Sequence, residues 1–332
     1  MLFKRPLKYY AENLFLIDGY WHQKRKHRGS DIINKSIQIK YGLVKNYIIP
    51  FWGNIPPSHI SIKNVNEQLY KLRVSGSLKN RILSCLSDIY THLIEEDVLK
   101  ENPIRNIVRF SNAVTNKRGA LSLEELARLF RPNHDELIKI WHSQTYATAF
   151  LVLRDTSLRP GELRALQWGD WHPDTRFFPI TKAIESETRD KIKGTKTGSI
   201  KPAIVSEFTA GEIEHLRSVT KKTVPEDFIF VSRFGYPPSD STLSLHFRIG
   251  VRRVGLNRPE ITPYWLRHTF NTLALLYLDE ADVRKLMGHT SKMTRHYRHP
   301  DIFLLQKEAE KIAPKINKLH ALINCQKDQL SR

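Results

Sequence analysis

The sequence predicts a mainly α-helical protein with a small β-sheet. An all-helical domain over residues 1–110 leads through a linker over 111–120 into a mixed α/β domain over 121–332. Three observations predict this. The first hundred or so residues carry apolar side chains at helical spacing and show no strand alternation. The segment SNAVTNKRGA, residues 111–120, is polar and basic with no apolar period. Only the stretch from Phe177 to Ser206 holds short β-type runs punctuated by glycine. A length of 332 residues suits two domains better than one, and 40% hydrophobic residues suffices for a core in each.

In the first domain, Lys24-Arg25-Lys26-His27-Arg28 is a run of cations. It reads equally as a solvated face and as a set of phosphate contacts through Lys24, Arg25, Lys26 and Arg28. Ile37 to Ile49 reads as an amphipathic helix stopped by Pro50, and Pro56-Pro57 marks a second break. Val65 to Leu72 is a short helix. Ser77 to Val98 is a longer one, with Ile82, Leu83, Leu86, Ile89, Tyr90, Leu93 and Ile94 on one face, and Asn102-Pro103 closes the bundle.

In the second domain, Ser122-Leu123-Glu124-Glu125 fits a capping box. Helical periodicity then runs from about Glu136 to Thr156. Pro160 holds Arg159 extended and opens a helix that places Glu162 near Arg159, with Leu163, Leu166 and Trp168 towards the core. Phe177 to Lys182, Ser186 to Lys191 and Ile200 to Ser206 read as strands, with a lysine-rich hairpin tip over 191–198. Helices follow over 209–219 and Leu243 to Val254, separated by a short buried segment, Asp227 to Val231. The second of these helices is rich in arginine, with Arg248, Arg252 and Arg253. From Thr262, Leu266, Phe270, Leu273 and Leu276 to Leu278 give a helix with Arg267 near its start. Gly288 ends the next helix with a positive φ, His289 follows directly, and Tyr297 stands among Arg295, His296, Arg298 and His299. Ile302 to Leu322 is amphipathic, interrupted at Pro314. It packs either on its own chain or against a neighbouring subunit.

Charge limits the partners. With 53 Lys and Arg against 34 Asp and Glu, the formal net charge is +19, which calls for an anionic partner. No apolar run is long enough to span a membrane, and MLFKRPLKYY lacks the apolar centre of a signal peptide. Nucleic acid is therefore the expected partner and the cytoplasm the expected compartment. The cysteines, Cys85 and Cys325, fit a reducing environment and argue against a disulfide framework.

The basic and aromatic set suits phosphodiester chemistry. Arg159 and Arg267 can hold non-bridging oxygens, since guanidinium stays charged and grips phosphate in a bidentate way. His289 can add a hydrogen bond, and Tyr297 can attack in line. No aspartate-glutamate cluster suggests a two-metal nuclease, so no metal or cofactor is expected.

The strings Leu-Arg-His-Thr-Phe at 266–270, Leu-Met-Gly-His-Thr-Ser at 286–291 and Tyr297, preceded by Arg159, Gly161, Glu162 and Leu163, resemble the signature of tyrosine recombinases, the phage integrase family. YIIPFWGNIPPSHI and LKENPIRNIV resemble that family's core-binding domain. The resemblance implies a SAM-like helical core-binding domain before the mixed catalytic domain. It also implies a metal- and ATP-independent DNA strand exchange through a 3′-phosphotyrosine, and a homotetramer on two DNA duplexes. It assigns a general-acid lysine to the hairpin, where Lys196 is the best match and Lys193 the fallback, and it makes Glu162 an orienting group. The chain departs from the family at two places. Tyr264 stands where a histidine is usual, three residues before Arg267, and Tyr297 follows His289 by eight positions, one fewer than usual. Rival readings are a type IB topoisomerase-like relaxase, a non-catalytic or decayed DNA-binding protein of the same fold, and a general polyanion binder.

Overall fold

The computed structural model describes residues 5–29, 34–111, 119–185, 188–194, 200–288 and 302–324. The chain forms two compact units, Met1–Lys117 and Arg118–Arg332. Each has its own apolar core.

The first unit contains α1 (Leu7–Ala11), α2 (Tyr20–His27), α3 (Asn34–Leu43), α4 (Ile49–Trp52), α5 (Ile62–Lys71) and α6 (Gly76–Glu95). Ser75 caps α6 by accepting the Leu78 N–H, and the helix buries Ile82, Leu83, Cys85, Leu86, Ile89, Tyr90 and Leu93. It stops at Glu95, short of the expected Val98, where Asp97 turns the chain at φ 55°. Pro50 does not stop a helix either. A π-helical turn over Val44–Ile48 carries α3 into α4, and the Ile49 N–H reaches back to the Val44 carbonyl. Pro50 and Asn46 both face solvent, so water has access to the turn whose carbonyl proline leaves without a donor.

The second unit begins with α7 (Leu123–Leu129), opened by the expected Ser122/Glu125 capping box. The long helix expected over 136–156 is two helices, α8 (His134–Trp141) and α9 (Gln144–Thr156). His142 ends α8 in the left-handed region at φ 52° and Ser143 caps α9. A positive φ at a histidine carries no sequence mark comparable to glycine. All of α9 from Tyr146 to Thr156 is buried, with α8, α11 and α13 packed on it. Then come α10 (Pro160–Arg164), β1 (Phe177–Ile180), β2 (Lys182–Ile184), β3 (Ile192–Gly194), β4 (Lys201–Ile204), α11 (Glu207–Val219), α12 (Asp240–Arg253), α13 (Pro263–Ala274), α14 (Glu280–Met287) and α15 (Ile302–Asn324).

The strands form two antiparallel pairs, β1 with β4 and β2 with β3. Of the expected strand over 186–191, residues 186 and 187 lie outside the described residues and 188–191 form no strand, while β3 occupies part of the expected hairpin tip. α13 ends at Ala274, so Leu276 to Leu278 lie beyond it, and Leu276 is exposed. α15 runs unbroken through Pro314. Pro314 and Glu310, whose carbonyl the proline cannot serve, both face solvent. α15 packs on β1, β4 and α7, and buries Ala309, Ile312, Ile316, Leu319 and Ile323.

A buried polar knot fixes this arrangement. Asp155 accepts from Arg154 Nε at 2.7 Å, the Ser206 N–H at 2.9 Å and Thr209 Oγ1 at 2.6 Å. His320 Nε2 of α15 lies 3.2 Å from the Asp155 carbonyl oxygen. The end of α9, the start of α11 and the C-terminal part of α15 therefore share one set of hydrogen bonds.

Candidate active site

α9 ends at Ser157, a buried residue in the left-handed region at φ 57°. That turn sends the chain into Arg159 and the first turn of α10. Arg159 is the extended residue before the helix, at φ −74° and ψ 149°, as Pro160 requires. Glu162 folds back on it. Oε2 accepts the Arg159 backbone N–H at 2.9 Å and Oε1 accepts Arg159 Nη1 at 2.6 Å. The arginine is thus aimed by its own helix.

Glu162 has a second cation. Lys201, the first residue of β4, lies with Nζ 2.9 Å from Glu162 Oε2, and both side chains are almost fully buried. Burial alone would raise the Glu162 carboxyl. The Lys201 ammonium and the hydrogen bonds from Arg159 outweigh it and hold the group below the usual carboxylate range. For Lys201 the balance goes the other way. Burial, helped by the charges of Arg267 and Arg159 and opposed by Glu162, pushes the ammonium down to about 8.

Arg267 sits in the first half of α13, which Pro263 opens. Its Nη1 donates to the Ser157 carbonyl at 2.5 Å and its Nη2 to the Met287 carbonyl at 2.8 Å. It therefore ties the turn before α10 to the end of α14, where Gly288 takes φ 65° as expected. Burial and then the like charge of Arg159 push the Arg267 guanidinium below its ordinary value. Arg159 and Arg267, 108 positions apart in sequence (267 − 159), thus share one electrostatic neighbourhood with Glu162 and Lys201. Tyr264 lies one turn before Arg267, partly exposed, with its ring centroid 5.6 Å from that of His268.

Lys196, His289 and Tyr297 lie outside the described residues. The fallback lysine, Lys193, is on β3 and its ammonium pairs with Glu185 at 2.5 Å.

Lys201 was not among the residues singled out from the sequence. Its signal was a lysine inside KPAIVS, a run expected to be a strand. A charge at the start of a buried strand requires a partner, but the sequence does not name Glu162 as that partner.

The cations expected at DNA-facing positions have varied surroundings. Lys24 pairs with Glu96 at 2.9 Å and Glu95 at 3.2 Å, Arg28 with Glu95 at 2.6 Å, and Lys26 with Asp18 at 2.8 Å. Arg25 stands over the Trp21 ring, 5.2 Å from its centroid. On α12, Arg253 donates to the Ile140 carbonyl at 2.8 Å. Arg248 and Arg252 are exposed and have no ion pair among the described residues.

A half-buried arginine just ahead of α10 and a buried one on α13, in one electrostatic neighbourhood of a mixed domain that follows a helical one, are the arrangement expected of a tyrosine recombinase. The pattern of the phage integrase family matches residues 121–302, and the chain belongs to that family. Tyrosine recombinase XerC of Listeria innocua serovar 6a is 26% identical over 221 residues, 66% of this chain and 70% of that protein. The ICEBs1 integrase of Bacillus subtilis is 32% identical over 116 residues, 34% of this chain and 29% of that protein. Among solved structures, the Tn1549 transposon integrase in complex with a circular intermediate DNA aligns with a TM-score of 0.65 at 19% identity, covering 87% of this chain and 97% of that one. A lambda integrase tetramer bound to a Holliday junction aligns with a TM-score of 0.59 at 18% identity, covering 85% of this chain and 78% of that one. This protein is accordingly a site-specific DNA recombinase of the integrase type.

Proposed function

We propose that the chain cuts and rejoins double-stranded DNA through a 3′-phosphotyrosine formed by Tyr297. The observation that carries this reading is the imbalance of buried charge. Arg159, Arg267 and Lys201 share one carboxylate, Glu162. A phosphodiester monoanion is the ligand that relieves the repulsion among them. Arg159 and Arg267 hold its non-bridging oxygens, and His289 adds a hydrogen bond. The Tyr297 oxygen bonds to phosphorus as the bond to the 5′ oxygen breaks. The phenolic proton leaves, and Lys196 gives a proton to the departing oxygen. Tyr264 orients the phosphate, where its hydroxyl can donate or accept. Lys24, Arg25, Lys26, Arg28, Arg248, Arg252 and Arg253 contact the DNA backbone. The working form is a homotetramer on two duplexes in the bacterial cytoplasm, moving a mobile element.

Tyr297→Phe tests the nucleophile. DNA affinity persists in the variant, and the denaturant-resistant protein-DNA adduct disappears. An adduct that survives rejects the assignment. A wild-type protein that binds DNA but forms no adduct favours the non-catalytic reading, which rests on Tyr264 and the shortened His289-Tyr297 spacing. A two-site assay that relaxes DNA without exchanging ends favours the relaxase.

A further inference from the structure

We propose that Lys201 is a positioning residue of the cleavage site, its ammonium holding Glu162 so that Arg159 points at the scissile phosphate. The proposal rests on the reading of Arg159 as a phosphate-holding group.

Three observations carry it. First, Lys201 is 1% exposed at a strand start, where a cation is costly unless it has a task or a partner. Second, its one ion pair among the described residues is with Glu162, the residue that fixes both the backbone and the guanidinium of Arg159. Third, Nζ lies 2.9 Å from Glu162 Oε2 while Glu162 Oε1 takes Arg159 Nη1 at 2.6 Å, so the one carboxylate bridges the two cations. The ammonium therefore offsets the carboxylate that would otherwise engage Arg159 fully, and leaves part of the guanidinium's field for a phosphate.

The groups that set the charge of Lys201 are Glu162 on α10, Arg159 just ahead of it and Arg267 on α13. Several charges on the other elements packed on β4 are engaged elsewhere. On α9 and α15, Arg154, Asp155 and His320 gather at Ser206 and Thr209, beyond the far end of the strand. On α14, Arg284 pairs with Glu280, Lys285 lies near Asp282, and Asp282 meets Lys315 of α15. Loss of the Lys201 proton removes one positive charge from the phosphate site. Glu162 then draws Arg159 more fully to itself, and cleavage slows as pH rises through about 8.

The test measures covalent adduct formation at limiting DNA, which reports the free enzyme, from roughly pH 6 to roughly pH 10. Melting and DNA affinity are measured on the same proteins. Lys201→Met is expected to slow adduct formation by between about ten-fold and about a hundred-fold with DNA affinity kept, the loss typical of a mis-aimed catalytic group. Lys201→Arg keeps a charge that does not titrate in this range, so the alkaline fall near pH 8 moves upward. A Lys201→Met protein that cleaves within about three-fold of wild type, or a Lys201→Arg protein with the wild-type alkaline fall, overturns the proposal. If either single variant fails to fold, Glu162→Gln/Lys201→Met removes both charges of the pair together. A folded, DNA-binding double variant with lost cleavage supports the proposal, and one that cleaves like wild type overturns it. Arg159→Ala separates the two levels. If it cleaves normally, the phosphate-site reading itself falls. If it is inactive while Lys201→Met is not, only the role of Lys201 falls.

Discussion

At the scale of single residues, Arg267 is as much a strut as a cation. Its fork spans two backbone carbonyls from different helices, and those bonds fix the guanidinium in place. Arg267→Lys keeps the charge but cannot serve both carbonyls, because an ammonium lacks the planar fork. The variant is expected to unfold about 2 kcal/mol more easily in denaturant titration, the cost of a buried acceptor left unpaired. It is also expected to form adduct poorly. A variant with wild-type stability would show that the carbonyl bonds hold nothing in place. Lys201 marks where sequence reasoning stops at this scale. Arg159 and Glu162 were legible because they lie three positions apart across a proline-opened helix start. The pairing of Lys201 with Glu162 spans 39 positions (201 − 162) and exists only after β4 meets α10.

At the scale of elements, the helix starts were readable and several of the ends were not. Ser122, Pro160 and Pro263 act on the backbone within one turn, so their effect survives any tertiary context. Pro50 and Pro314 mislead for the same local reason. Proline costs a helix one donor and one orphaned carbonyl, and where the carbonyl faces water the helix continues. The break at His142 and the true strand bounds over 182–194 are settled by packing on α9 and by pairing across β2 and β3. Gly161 shows how tightly α10 is seated. A Cβ there would lie 2.7 Å from the Ile184 carbonyl oxygen on β2. Gly161→Ala is expected to lift α10 from the strand, with a cost of about 1–3 kcal/mol in melting experiments. The same shift moves Arg159 and Glu162, so adduct formation is expected to fall by about ten-fold or more while DNA binding holds. Wild-type cleavage by this variant would mean that the seat of α10 does not set the aim of Arg159.

At the scale of the whole molecule, the charge of +19 is unevenly available. Lys24, Lys26 and Arg28 already face carboxylates, and exposed pairs of this kind contribute little to stability. DNA must compete with those carboxylates for them, whereas Arg248 and Arg252 have no such rival among the described residues. Binding is expected to weaken steeply with salt, each neutralised phosphate adding about −0.9 to the slope of log K against log salt. Arg248→Ala or Arg252→Ala is expected to reduce that slope by about 1, and Lys24→Ala by less. A flat salt dependence, or a larger loss from Lys24→Ala, would contradict this ranking. The point where the linker enters the second unit has a mechanical consequence. Gly119 lies so close to the Trp265 ring that a Cβ would approach it to 2.5 Å, and the Leu121 N–H donates to Thr269 Oγ1 at 2.8 Å. Both anchors are on α13, one turn apart, with Arg267 between them. A pull on the chain at Gly119 therefore arrives first on the helix that carries this arginine. A pull strong enough to strip residues 119–121 from α13 loads the arginine's mounting before it reaches the rest of the unit.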